Sequence, residues 1–584
     1  VPDRVPPRHA INPTQRALLL IDGIGPFFRH YRTKRINWSK IPFSQIETEE
    51  GIKAEYLSSV PDDFERLTAR VSALGFTGVT LDDLAHLHLD QRYPAPLRTK
   101  IEAYRGLFRR LLGIARDHGL SVFLTTDVTS CHPALEETRG RDVGRLSAFL
   151  ARACDGVLSD FPEIGGVITR FGEADGRDVR GDFRSRLALR TPADARLFLS
   201  RMLPVFESKE RLLVFRTWSL GAYPLGDLIW NRRTYDRAFS GIDSRWLVVS
   251  MKYGETDFFR FLPTNPLLVR GRHLSIVELQ ARREFEGFGA YPSFVGWDAE
   301  RHLKRLAGAQ NVVGISVWCQ TGGWGRRRQL TYLRNSSPWV ELNVFVISRL
   351  WSGASCEEAI AEYCRLHQPP LPVAPFVEFL RLSDQVIEKL LYIGELGERP
   401  RYFRRLRLPP QFLVFWDRII VSPVTKQALE VLVQDPARCL REGREALAHL
   451  DRMRQLARDH DLPAKGLEFQ YQTYQVLAAV REYLFGPAPE ESLQRLRELS
   501  DVYRKAYGRH YAVSLDVAGS WVPKIALRWL LGWVLREQGE YRMIDQVVTL
   551  PLLPLLYPLL RPFLRRLVPA FAERSTMGID PFFR

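Results

Sequence analysis

The sequence predicts a (β/α)8 TIM barrel followed by an all-α C-terminal domain. Eight short apolar or β-branched runs alternate with amphipathic helical stretches across residues 1–340, the pattern of βα units building a parallel sheet. From Trp339 onward that pattern stops, and apolar residues recur at three- and four-residue spacing. Acidic residues stand just past several of the apolar runs, where a parallel barrel gathers its working groups. The length of 584 residues agrees, because a single core stops growing at about 250–300 residues.

The candidate strands are 17–21, 78–81, 121–126, 166–170, 212–217, 246–251, 274–279 and 312–318. Helices are predicted between them at 62–74, 100–118, 143–153, 192–203 and 297–307. Several open on an Asp, Thr or Ser placed to cap first-turn amides. An open doubly wound sheet is the rival arrangement, but no Gly-x-Gly-x-x-Gly follows the first strand. The second domain, 341–584, carries helical patterns at 357–366, 376–396, 438–460, 467–485, 490–507 and 524–537. No low-complexity linker separates it from the barrel, so the two are expected to pack rigidly.

The run 550–567 is rich in leucine but broken by Pro551, Pro554, Pro558 and Pro562 and by Arg561, Arg565 and Arg566. It falls short of the ~20 apolar residues that a spanning helix needs. It reads as an amphipathic tail, expected to pack on the protein in preference to lying on a membrane surface.

Hydrophobic residues make up 45% of the chain and charged residues 26%, an ordinary globular balance. The net charge of +16 comes from scattered arginine, densest at Arg326, Arg327 and Arg328 and at Arg401, Arg404, Arg405 and Arg407. No groove-reading motif accompanies these clusters, so the expected partner is an acidic substrate or an anionic surface and not a nucleic acid. The six cysteines form no Cys-x-x-Cys pair, which argues against a zinc site or a disulfide framework and for a reducing compartment. Val1-Pro-Asp-Arg shows no basic-then-apolar leader, and a cytoplasmic location is expected. No cofactor or metal is implied.

The strand ends supply a chemical set. Strand four leads into Ile168-Thr-Arg170-Phe-Gly-Glu173, strand five into Arg216-Thr-Trp218, and strand six into Lys252-Tyr-Gly-Glu-Thr-Asp257. Strand seven leads into Glu278-Leu-Gln-Ala-Arg-Arg-Glu284, and strand eight ends at Trp318. Glycosidic cleavage needs one carboxylic acid to protonate the leaving oxygen and one carboxylate to activate water or attack the sugar. Glu173, Asp257 and Glu284 are the candidates. Arg216 and Lys252 could pair with a substrate carboxylate, and indole faces could stack on sugar rings. Taken singly, each has a plainer reading: a solvated loop acid, a helix cap, a core indole, or, for Arg216 and Lys252, an ion pair inside the barrel.

These segments resemble glycoside hydrolase family 67, the α-glucuronidases. Gly165-Gly-Val-Ile-Thr-Arg-Phe-Gly-Glu173-Ala-Asp-Gly176 is similar to the family's Gly-Gly-apolar strand leading to its general acid. Lys252-Tyr-Gly-Glu-Thr-Asp257-Phe258 matches a family segment in its Lys-to-Asp spacing, and Gln280-Ala-Arg-Arg-Glu284-Phe-Glu-Gly287 resembles the family's seventh strand end. Gly75-Phe-Thr-Gly-Val-Thr-Leu-Asp82-Asp83 stands where the family has a run ending in two Asn, and the likeness continues into 347–363.

The resemblance implies Glu173 as general acid, Asp257 and Glu284 as the pair that positions and deprotonates water, and inversion at the anomeric carbon. It implies Arg216, Lys252 and Arg170, with Trp218, Trp318, Asp82 and Asp83, as substrate-binding, and a homodimer formed through the helical domain. The sequence departs from the family in lacking its long segment before strand one, in Thr169 replacing a Lys, and in the charge of Asp82 and Asp83. The expected function is removal of a terminal α-linked uronic acid. A barrel glycosidase for another sugar and a non-catalytic glycan-binding scaffold remain as alternatives.

Overall fold

Eight parallel strands close into a barrel in chain order: β1 (Leu18–Asp22), β2 (Gly78–Asp82), β3 (Ser121–Asp127), β4 (Ile164–Arg170), β5 (Leu212–Arg216), β6 (Leu247–Lys252), β7 (Ser275–Gln280) and β8 (Val312–Trp318). The computed structural model describes residues 17–30, 41–49, 51–128, 130–133, 135, 142–171, 182–183, 185–320, 329–411, 413–415, 418–507, 512–515, 524–567 and 580–583. All eight expected strands are present, with ends shifted by at most two residues. β1 pairs with β8, Leu20 opposite Ser316, which completes the ring.

The strands are almost wholly buried, which is why they read as apolar runs without polar alternation. Inside the barrel, Leu20, Phe123, Ile168, Val214, Val248 and Ile276 form one apolar layer, each side chain worth roughly 1.5–3 kcal/mol by burial. Room for it comes from Gly166 and Gly314, where a Cβ would come within 2.3 Å of the Leu212 carbonyl oxygen and 2.0 Å of that of Leu18. Surrounding helices include Ala54–Ala73, Ala95–Asp117, Val143–Asp160, Pro192–Lys209 and Gly296–Leu306. The predicted caps are made by Asp142, by Thr191 in a capping box with Asp194, and by Ser355 in another with Glu358.

After the barrel come the helices Pro338–Trp351, Cys356–Leu366, Val373–Val386, Pro436–Asp459, Leu467–Phe485 and Pro489–Tyr507. The all-α expectation is corrected at two places. β9 (Tyr402–Phe403), β10 (Leu406–Arg407) and β14 (Leu535–Arg536) form one three-stranded sheet; β11 (Val414–Phe415), β12 (Arg418–Val421) and β13 (Ala512–Leu515) form another. Strands of two to four residues are too short to show periodicity, and each sheet draws one strand from more than ninety residues away.

The helical region is fastened to the barrel by polar contacts. Asn343 donates to the carbonyls of Ala281 (2.9 Å) and Ser293 (2.8 Å) and accepts from the amide of Val295 (3.1 Å). Deeper in the junction, the fully buried Arg260 holds Glu286 (3.0 Å), the Phe294 carbonyl (2.8 Å) and Asp384. Tyr392 donates to Glu286 at 2.9 Å and accepts from the Arg260 amide at 3.3 Å. Burial opposes charge on Arg260, yet Glu286 and Asp384 outweigh it and hold the guanidinium well above its ordinary range. Arg283 and His302 likewise keep Asp298 ionised well below the carboxylate range against its burial. The remaining strain falls on Glu388, which burial and the neighbouring Asp384 push up to about 7.

This last group makes stability depend on pH. Glu388 ionises near 4.5 in the unfolded chain and only near 7 in the folded one, so the folded state binds more protons between those values and stability falls as pH rises through the window. Glu388→Gln should melt higher than the parent at pH 8 by on the order of 1–3 kcal/mol of stability, with the gap closing at pH 4.5. Thermal melts across that range measure it, and a gap that does not vary with pH would contradict the assignment.

Candidate active site

Side chains alternate along a strand, so the apolar layer at Leu20, Ile168, Val214, Val248 and Ile276 is followed two residues later by Asp22, Arg170, Arg216, Ser250 and Glu278. The barrel interior therefore turns from hydrocarbon to ions within one step toward its C-terminal mouth. All five of these groups are buried. At such depth charges persist only if paired and hydrogen-bonded.

Glu278 meets that demand fully. Arg216 grips it with two bonds of 2.8 and 2.7 Å, the Ser250 hydroxyl donates at 2.7 Å, and the Trp318 indole donates at 3.2 Å. The Trp318 ring also covers the guanidinium, 4.7 Å from its centroid. Burial alone would raise the Glu278 carboxyl, but the Arg216 charge and these donors outweigh it and bring it below its usual range. Arg216 thus stands as an ion-pair partner inside the barrel, and Trp318 is engaged with the same pair.

Lys252, the register partner of Glu278 on β6, extends toward the mouth. Its ammonium lies 2.7 Å from Asp257 Oδ1 and 3.5 Å above the Trp218 ring, with Phe258 at 4.8 Å. Asp257 also accepts the Phe258 amide at 2.9 Å. Its side chain keeps 13% of its exposure where that of Lys252 keeps 4%, so Asp257 is the member of the pair that solvent reaches. Trp218 is packed among Leu220, Ile229, Trp230 and Tyr402 and serves as the floor under Lys252.

Glu284 is buried in the loop after β7, where its amide donates to the Gln280 side chain at 3.3 Å. Phe285 stacks on Phe259 with ring centroids 4.4 Å apart, which lays the loop bearing Glu284 beside the loop bearing Asp257. The Arg260–Glu286 pair joins the same two loops one step further on. The loops that bear Asp257 and Glu284 are therefore adjacent. Glu173 lies outside the described residues, as do Arg326, Arg327 and Arg328.

On the opposite side, Arg170 bonds Asp127 at 2.9 Å and lies 3.6 Å from Asp82. The charge that Asp82 adds is met there by a cation. Asp83 points its carboxylate into the following turn, accepting the His86 amide at 3.1 Å and facing His86 Nδ1 at 2.6 Å. Phe43 stacks on that imidazole. Asp83 is thus a capping group and Asp82 an ion-pair partner.

Sequence reasoning passed over Glu278, Asp127 and Asp22. The Asp22 carboxylate accepts the amides of Cys319 (2.6 Å) and Gln320 (2.8 Å), tying β1 to β8 at the mouth. A signal existed for Glu278: it shares the inward phase of Ile276 and Gln280 within Ser275-Ile-Val-Glu-Leu-Gln, and an ionisable side chain at such a position must be partnered. Glu255 was also missed; Tyr402 (2.5 Å) and Arg407 (2.6 Å) of the small sheet bind its carboxylate, so the C-terminal region braces the β6 loop. Among the described residues, no group of three or more His, Cys, Asp or Glu is arranged to hold a metal ion.

Removing Arg216 should leave a buried, unpaired carboxylate. Arg216→Ala is expected to cost about 3–5 kcal/mol in denaturant unfolding, and adding Glu278→Gln should recover part of that loss. Additive losses in the double-mutant cycle would show that the pair is not a unit.

No family model matches the sequence, and no curated protein matches it significantly. Among solved structures, the chain is similar to a GH138 enzyme targeting pectin rhamnogalacturonan II, at 11% identity and a TM-score of 0.49 over 84% of this chain and 62% of that one. It is also similar to a mutant of the O-GlcNAc hydrolase of Thermobaculum terrenum, at 13% identity and 0.36 over 76% and 86%. A third is GH5_18 from Streptomyces cattleya in complex with GlcNAc, at 17% identity and 0.36 over 58% and 82%. The chain spans 62% of the length of the first of these. At such identities the likeness is one of fold.

Proposed function

We propose that this chain is a glycoside hydrolase that removes a terminal α-linked uronic acid from an oligo- or polysaccharide by an inverting, acid/base mechanism, as in family 67. The observation that carries the reading is the Lys252–Asp257 pair at the barrel mouth, seated on Trp218 and flanked by the loop of Glu284. A carboxylate that solvent reaches, held by a cation in a dry wall, can orient a water for attack on an anomeric carbon. Glu284, buried in the adjoining loop, would share the task of taking the proton from that water.

Glu173, which follows β4, is the proton donor in this scheme. Inversion sets its distance from the base at about 6.5–9.5 Å, enough to admit water beside the sugar. Lys252 also offers the substrate carboxylate a charge. Its ammonium has three N–H donors, and one of them reaches Asp257. Arg216 binds Glu278 through two bonds of 2.8 and 2.7 Å, and in this scheme it stands behind Lys252 as part of the wall.

A screen of acidic and neutral oligosaccharides, with the product anomer followed by NMR, tests the proposal. The expected result is release of a uronic acid that appears first as the β anomer, because an α linkage is inverted. Glu173→Ala should cut turnover of a sugar leaving group by about 10²-fold or more, and that of an activated aryl glycoside far less. Equal losses on both substrates would remove Glu173 from the role of acid, and release of a neutral sugar instead would remove the uronate.

A further inference from the structure

The helix Leu552–Leu567 is amphipathic in the inverted sense. Leu552, Leu555, Leu556, Leu559 and Leu560 fall at i, i+3, i+4, i+7 and i+8, a single stripe, and all five are exposed, Leu555 to 72% and Leu559 to 79%. Toward the protein the helix turns Tyr557 and Arg561: Tyr557 donates to Asp580, and Arg561 pairs with the same carboxylate at 2.9 Å. Tyr557 stacks on Phe583 (4.6 Å), which in turn meets Phe403 of β9 (5.7 Å). The expectation that this run packs on the protein holds for Tyr557 and Arg561 and is reversed for the leucines.

Two neighbouring segments in sequence expose the same kind of surface. The helix Lys524–Val534 presents Trp529 (78%), Leu530 and Trp533, and the turn after β14 presents Met543 (83%) and Val547. The Arg542 guanidinium donates to the Trp533 carbonyl at 2.7 Å and pairs with Asp545 at 2.9 Å, holding these two segments together. Ten large apolar side chains are exposed between positions 529 and 560, against seven in the rest of the described residues. Scattered exposed leucines need no explanation; a clustered, one-faced set of this size marks a docking surface.

Charge decides what docks. Residues 524–567 carry seven basic side chains (Lys524, Arg528, Arg536, Arg542, Arg561, Arg565 and Arg566) against Glu537, Glu540 and Asp545, in a chain of net charge +16. A second copy of the chain would bring like charges face to face. A bilayer with anionic headgroups accepts leucine and tryptophan below its surface and arginine at it. No described helix is long and apolar enough to cross a membrane. We propose that the surface formed by residues 529–560 docks the protein on an anionic lipid bilayer, with its helices lying in the interface.

Sedimentation of the full chain with vesicles tests this independently of any sugar chemistry. The chain should pellet with vesicles of phosphatidylcholine containing one third phosphatidylglycerol, and about tenfold less with phosphatidylcholine alone or at 1 M salt. Leu555→Asp combined with Leu559→Asp should weaken binding to the mixed vesicles by about 10²-fold. Its melting temperature should match the parent, because both side chains face solvent. Failure to pellet with either vesicle, or equal pelleting of parent and variant, overturns the proposal. So does a dimer in lipid-free buffer that the variant converts to monomer, since a second copy would then be the occupant.

Discussion

A single buried guanidinium, that of Arg260, fixes the geometry on which the candidate site depends. It sits in the loop after β6 and binds Glu286 in the loop after β7 together with Asp384 of the helical region. The loops it joins are those that carry Asp257 and Glu284. A buried charge of this kind costs several kcal/mol unless every neighbour is placed to meet it, so the arrangement tolerates little sliding of one loop against the other. The helical region is therefore part of the site's frame. Asn343, Tyr392 and Gln411, which donates to the Phe285 carbonyl at 3.2 Å, reach the same two loops from its side.

Above the apolar layer, the barrel is built from pairs that satisfy each other before any ligand arrives: Arg216 with Glu278, Arg170 with Asp127, and Lys252 with Asp257. In a low-dielectric interior such pairs hold their orientation without help from water. The field that they set up at the mouth is then present in advance. Of the three carboxylates, that of Asp257 keeps the most exposure, 13% against 8% for Asp127 and 1% for Glu278, and so is the one that water reaches most readily.

The barrel was legible because its strands are buried on both faces and so appear as unbroken apolar runs, while the helices between them keep a clear 3.6-residue period. Helix ends were harder: the helix at Ala54–Ala73 begins eight residues before its predicted start, since its first turns carry Glu55, Ser58 and Ser59 on an exposed face. Asp257 and Glu284 could be found from their position after strands. The partners of Arg216 and Lys252 could not be told apart in the same way: Lys252 meets an acid five residues on, whereas Arg216 meets one sixty-two residues on, across the curvature of three strands. Tyr402 and Arg407 were invisible as site-bracing residues, because nothing local ties them to Glu255.

The sheet that braces the β6 loop has a consequence for the order in which the molecule is completed. β9 and β10 can pair as soon as residue 407 is made, but β14 joins β9 only after residue 536. Each barrel strand, in contrast, finds its partner within the next βα unit, apart from the β1–β8 closure. During synthesis all eight barrel strands are therefore made while the outer sheet still lacks β14. Tyr402 and Arg407, which hold Glu255, thus gain the third strand of their sheet only after residue 536, so the brace on the β6 loop is completed from a part of the chain made long after the barrel.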